Sequence, residues 1–184
     1  GADALRISLV AGATPGNPIS LSIPKVKGYR NFSNKIWNVG RYLLQLHEQS
    51  GRPKLDELSL EQLENDLSDA DKKLIQEIAT LCNTTTAHLE AFRLSEAGLE
   101  LYDFTWNILA NDYLEHSKER SRDESSSQQR AVLATLLYSY TMVLKLLHPF
   151  MPFVTESVWQ ELHIAELVNQ PILALSNWPD TTKP

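Results

Sequence analysis

Cys82 is the only cysteine in the 184 residues, so no disulfide can form within the chain, and no cysteine pair stands at zinc-ligand spacing. The residue falls in the helical pattern "LIQEIATLCNTTTAHLEAF", where a lone thiol reads as a small buried hydrophobe in a reducing compartment. The N-terminal stretch "GADALRISLVAGATPG" has no basic n-region, and Asp3 and Arg6 interrupt its apolar run, so it does not read as a signal peptide. The uncharged run Ala131 to Leu144 is too short to span a bilayer and carries Thr135, Ser139, Tyr140 and Thr141. It reads as a buried core helix. Period-2 alternation, internal repeats and low-complexity tracts beyond "ESSSQQ" are also missing. No glutamate has a histidine three residues later, which excludes a di-iron bundle built from Glu-x-x-His pairs.

Acid is missing from one particular place. Residues 25 to 44, "KVKGYRNFSNKIWNVGRYLL", hold Lys25, Lys27, Arg30, Lys35 and Arg41 and no Asp or Glu, in a chain of net charge −6. The remainder therefore carries −11, since −6 minus +5 is −11. Overall acidity argues against coating of nucleic acid by the whole chain but leaves room for a local basic face.

What is present is helical periodicity. At 42% hydrophobic and 22% charged residues, the chain is of ordinary globular composition and long enough for one substantial core. A short helix is expected over Asp3 to Ala13, stopped by "TPGNP". Ser22 is the expected N-cap of a helix with Pro24 in its first turn, running to about Gln49. Residues 50 to 67 read as an acidic connection with one short helical turn. Ser68 and Asp71 form a capping box for a helix to about Phe92. The next helix is expected from near Ser95 to about Arg120, and another from Gln129 to Leu147 after the polar break "RDESSSQQ". Pro149 ends that helix and Pro152 opens the last, which ends near His163. "PILALSNWPD" is expected to pack as an extended tail. The expected fold class is all-α: an antiparallel bundle of four to five main helices, with a short N-terminal helix and an extended tail. Residues 1–23 read as a leading segment and linker, and 24–184 as the bundle.

On the helix from Pro24, Tyr29, Phe32, Ile36, Val39, Leu43 and Leu46 recur at steps of three and four, a core-facing stripe. Lys27, Asn31, Asn34, Asn38, Arg41 and Gln45 form a second stripe, with Arg30, Lys35 and Trp37 at its margins. A solvated helix face ordinarily mixes Glu with Lys, and asparagine is a poor helix-interior residue. Cations neutralise phosphates, amides donate and accept in one plane as base edges demand, and Trp or Tyr stack on unpaired bases. The alternative is a solvated face with Trp37 in the core.

"GYRNFSNKIWN", then "YDFTWN…DYLEHSK" and "LLHPFMPFVTESVWQEL", resemble the helical anticodon-binding domain of the valyl-tRNA synthetases. "GADALRISLVAGATPGN" resembles the segment after their KMSKS loop, and "ILALSNWP" the end of their bundle. The resemblance is collinear from Gly1 to about Asp180. "HPFMPFVTE" is shared with leucyl and isoleucyl relatives, whereas "GYRNFSNKIWN" points to valine. Two departures stand out: Pro18 where the family usually has an acid, and "NDYLE" where it usually has an aromatic-rich "DWYIE".

The resemblance implies binding of a valine-specific tRNA through its anticodon stem-loop, for which the stripe and its margins, Lys27, Arg30, Asn31, Asn34, Lys35, Asn38 and Arg41, are the expected contacts, with Asn111 a second-line candidate and Lys118 a further cation. Asp3 and Arg6 would link the bundle to the rest of a synthetase chain near the inside corner of the tRNA; the alternative is a local ion pair. No match to the HIGH or KMSKS signatures and no Gly-rich phosphate cradle is present, so no catalytic residues and no cofactor are expected here. ATP and Mg2+ would serve the parent ligase. A cytoplasmic setting without membrane contact follows. A scaffold domain binding a protein partner, or the anticodon domain of an isoleucyl or leucyl enzyme, are the alternatives. Lys118, Arg120 and Arg122 suit either a helix dipole or phosphate contact. Trp106 reads as core, His148 as a structural cap or satisfied core histidine, and Trp159 and Trp178 as packing.

Overall fold

The computed structural model describes residues 1–13, 16, 21–122 and 127–180. Among them there is no strand, and the fold is an all-α bundle. The elements are α1 (Ala2–Val10), α2 (Ile23–Gln49), α3 (Asp69–Glu90), α4 (Leu94–Asp103), α5 (Leu114–Ser121), α6 (Ser127–Leu147) and α7 (Pro152–Ile164). A π-helical segment, Phe104–Tyr113, joins α4 to α5 without a break. Two single 3-10 turns, Leu55–Leu58 and Glu64–Asp66, lie in the acidic connection, and a third, Leu173–Leu175, in the tail.

Helix starts follow local chemistry. The Ser22 hydroxyl accepts the free amide of Lys25 at 3.3 Å, with Pro24 in the first turn of α2. Ser68 and Asp71 form the capping box of α3, the Asp71 carboxylate accepting the Ser68 amide at 2.8 Å. Proline at its first position opens α7, where the missing N–H removes no bond. Helix ends follow the same logic: α2 stops where Gly51 and Arg52 take positive φ.

The centre of the bundle is α6, which touches α2, α3, α4, α5 and α7. It is long and apolar enough to cross a membrane by length and composition, yet 72% of its most apolar window is buried among the other helices. Burying such a helix inside a soluble core satisfies the same composition. Its Tyr140 is fully buried and donates to the Ile36 carbonyl of α2 at 2.5 Å. Beside this bond Gly40 lets α2 approach closely. A Cβ there would stand 2.7 Å from Val158 Cγ1 and 3.3 Å from Tyr140 Oη.

Packed on α2, α4 and α7 is α1. It ends at Val10, short of the expected Ala13, and the Gly12 amide bonds the Ser95 hydroxyl at 2.9 Å. Pro18 and positions 123–126 of the expected polar break lie outside the described residues, as do 181–184. The expected helix from Ser95 to Arg120 departs from uniform α geometry through its middle ten residues. Side chains of α3 and α7 hold the tail at several points, one of them the Gln160 Nε2 bond to the Pro171 carbonyl at 2.5 Å. The Glu156 carboxylate accepts the Leu173 amide at 3.1 Å, Trp159 Nε1 donates to the Gln170 carbonyl at 2.7 Å, and Trp178 Nε1 donates to Thr86 Oγ1 at 2.8 Å.

Candidate nucleic-acid interface

Two faces of α2 divide cleanly. Tyr29, Phe32, Ile36, Val39, Leu43 and Leu46 are buried. Lys27, Arg30, Asn31, Asn34, Asn38, Arg41 and Gln45 are exposed. Trp37 is 37% exposed and lies beside them, not in the core. None of those seven polar side chains has a hydrogen bond or ion pair to any described residue. The first acid of α2 is Glu48, and it pairs with Arg52 at 2.9 Å. The stripe therefore presents uncompensated charge and unpartnered amides to solvent, which is an attractive surface for a polyanion.

Lys35 behaves differently. It is half-buried and leans across to the π-helical segment, where its ammonium donates to Asn111 Oδ1 at 2.8 Å. The same Nζ stands 5.5 Å from the Trp106 ring centroid, a cation–π contact. Beneath it lies an aromatic cluster. Trp106 stacks on Tyr102 at 5.8 Å, Tyr102 meets Phe32 at 4.6 Å, and Tyr29 meets Tyr102 edge-on at 5.7 Å. Burial, and then the neighbouring Tyr102, push the Tyr29 phenol above its ordinary pKa. Trp106 is thus half in the core and half a floor for Lys35, and Trp37 is the aromatic left open beside the stripe.

Asn111 itself is exposed. Lysine has only donors, so the amide oxygen of Asn111 must face Lys35 and its NH2 must face away. The structure thus joins Lys35 and Asn111 into one unit across two helices.

Lys118 is not free. It donates to both oxygens of Glu115, at 2.7 and 2.6 Å, in an exposed i,i+3 pair. The Lys118 hydrogen bond holds the Glu115 carboxyl below its usual range. In the "NDYLE" departure, His116 Nδ1 lies 3.0 Å from an Asp112 carboxylate oxygen and 2.8 Å from the Asp112 carbonyl. Arg120 is committed further: its guanidinium grips the buried Asp71 carboxylate at 3.0 and 2.7 Å and the Ser68 hydroxyl at 2.9 Å. Its place near a helix end serves a tertiary ion pair, which neither the dipole nor the phosphate expectation foresaw. Arg122 is exposed, and its side chain has no hydrogen-bond or ion-pair partner among the described residues.

Asp3 and Arg6 do not pair with each other. The buried Asp3 carboxylate accepts the amides of Phe153 and Val154 at the start of α7, at 3.2 and 2.6 Å. Arg6 donates to the Pro149 carbonyl at 3.2 Å. Together they fasten α1 to the "HPFMPF" corner. There His148 Nδ1 meets Thr155 Oγ1 at 2.9 Å, and burial lowers the imidazole pKa.

A family model described as the anticodon-binding domain of tRNA ligase matches residues 71–184. The valine–tRNA ligase of Staphylococcus epidermidis is 35% identical over 181 residues, covering 97% of this chain and 19% of that protein. That of Geobacter sulfurreducens is 39% identical over 165 residues, 88% of this chain and 18% of its own length. That of Bacillus licheniformis is 33% identical over 184 residues, 100% of this chain and 20% of its own. The chain thus spans about one fifth of the length of these relatives. The α2 stripe precedes the region matched by the family model but lies inside the alignments that cover 97% and 100% of the chain.

Proposed function

The chain belongs to the anticodon-binding domain family of tRNA ligases, and from that premise we propose that the exposed face of α2 holds the anticodon stem-loop of a tRNA. The observation that carries this is the set of unpartnered cations and amides along Lys27, Arg30, Asn31, Asn34, Asn38 and Arg41. Lys27 and Arg41 neutralise phosphates. The asparagines, with donor and acceptor both free, read base edges of an unstacked loop, and Trp37 offers a ring face on which a base stacks.

The names of the relatives support valine as the amino acid of the cognate tRNA. A fragment of this kind would bind and position tRNA without chemistry of its own, in the cytoplasm, while ATP and Mg2+ act elsewhere in a longer ligase. Among the described residues no cluster of three or more His, Cys, Asp or Glu is placed to hold a metal ion, and the basic face needs none to attract phosphate. Titration of the chain with a panel of tRNAs at two salt concentrations tests the proposal. Tightest binding to the valine tRNA, weakening as salt rises, is expected; equal and salt-independent affinity for all would refute it.

A further inference from the structure

A π-helical turn closes i→i+5 bonds and normally occurs as a single turn, often at a functional site. Ten residues of it, Phe104–Tyr113, need support from outside the helix. Support comes at both ends. Near the start, the Trp106–Tyr102–Phe32 contacts tie the segment to α2. At the far end, the Tyr113 hydroxyl donates to Asp71 Oδ1 at 2.7 Å.

That carboxylate is wholly buried and satisfied on both oxygens. The Ser68 amide and hydroxyl reach it at 2.8 and 2.9 Å, and Arg120 closes on it from α5. Asp71 therefore locks the start of α3, the last π residue and the following helix to one point. Each residue of an α-helix turns about 100° about the axis. A π turn holds more residues than an α turn, so each residue turns through a smaller angle, and along the segment the side chains rotate progressively away from the positions a uniform α-helix would give them. Asn111, two residues before Tyr113, meets Lys35 in the register that is held.

We propose that Tyr113 and Asp71 are positioning residues for the nucleic-acid face: their bond fixes the π register that carries Asn111 onto Lys35. The inference rests on the function proposed above. Its chemical consequence separates Asn111 from the other asparagines. With its oxygen taken by Lys35, Asn111 presents donors alone beside an ammonium. Asn31, Asn34 and Asn38 keep both donor and acceptor free. The Lys35–Asn111 unit thus suits an acceptor oxygen of the nucleic acid, not a base edge that must be read in both senses.

Tyr113→Phe removes the hydroxyl and keeps the ring, so the fold has every other contact to rely on. One arm uses no RNA. The side-chain amide of Asn111 is followed by NMR in the wild type, in Tyr113→Phe, and in Lys35→Met, which gives the unpaired position. Tyr113→Phe should move the signal toward that of Lys35→Met; an unmoved signal would overturn the inference. The other arm measures affinity for an anticodon stem-loop in Tyr113→Phe, Asn111→Ala and the double variant. Each single change should weaken binding by roughly 3- to 10-fold, the scale of one hydrogen bond. The double should bind no more weakly than Asn111→Ala alone, because coupled residues are non-additive. Additive losses would mark Tyr113 as structural only and overturn the inference. Failure of the wild type to bind any stem-loop would instead refute the proposed function, while the NMR arm still decides the register.

Discussion

Asp3 caps α7 from 150 residues away: its carboxylate accepts the amides of Phe153 and Val154 at 3.2 and 2.6 Å. Met151 precedes Pro152 at the N-cap position, and its side chain has no oxygen to accept the free amides. The acid a helix start calls for is thus supplied by another helix, α1. Asp3→Ala should lower unfolding stability by about 1–2 kcal/mol, the range of a lost cap, and Asp3→Asn should lower it less. Urea denaturation with an unchanged m-value is the measurement.

Gly40 should be intolerant of even one methyl group. Gly40→Ala places a carbon 2.7 Å from Val158 and presses on the Tyr140 hydroxyl that bonds α2. Both neighbours are buried, so little room exists for relief. A loss of about 1–3 kcal/mol is expected, as for overpacked cores, even though alanine is the better helix former. Thermal denaturation would read it as a lower midpoint.

The Asp71 clamp should make stability depend on pH. Burial pushes the Asp71 carboxyl up, but hydrogen bonds from Arg120, Tyr113 and Ser68 outweigh it and hold the pKa below the usual value. A depressed carboxylate pKa stabilises the fold above the unfolded-state value of about 3.9, and that stability is lost as pH falls through the folded-state value. Asp71→Asn should abolish this acid-limb contribution and, by stranding Arg120, cost about 3 kcal/mol near neutrality. Urea midpoints of both proteins between pH 7 and pH 3 should converge on the acid side.

Much of this was legible in the residues because it depends on near neighbours. Ser22 with Pro24, Ser68 with Asp71, and Pro149 with Pro152 set helix ends by contacts within a turn, and the Tyr29-to-Leu46 stripe carries the helical period. The π segment was not legible. Its apolar positions also fit an α pattern, and what holds it comes from Asp71, 42 residues away from Tyr113. A separation of 49 residues from Asp71 likewise hid the use of Arg120, since a cation near a helix end already suits the helix dipole. In the candidate site, the exposed face of α2 followed from periodicity, but Lys35 with Asn111 is a meeting of two helices that no local spacing encodes. Lys118 suits the dipole or a phosphate by position alone, whereas in the structure it is held by Glu115 three residues before it.

Glu115 should act as a brake on the basic surface. It holds Lys118 in an exposed pair, which contributes little to stability. Glu115→Gln should release Lys118 and remove a negative charge at the same time. Affinity for tRNA is expected to rise, and the slope of log affinity against log salt to steepen by about one unit at most, the share of one phosphate contact. Stability should stay as in the wild type.

The most direct test of the α2 face is affinity across a salt series for an anticodon stem-loop and for one with altered anticodon letters. Lys27→Ala and Arg41→Ala should weaken binding to both loops alike and flatten the salt slope by about one unit each. Replacement of a base-reading residue among Arg30, Asn34 and Asn38 should cost on the order of 1–3 kcal/mol for the cognate loop and less for the altered one. Glu61→Ala and Glu64→Ala, in the acidic connection, should leave affinity unchanged or slightly raised. If the α2 variants fold normally and bind both loops like the wild type at every salt concentration, the stripe is a solvated surface and tRNA is held elsewhere.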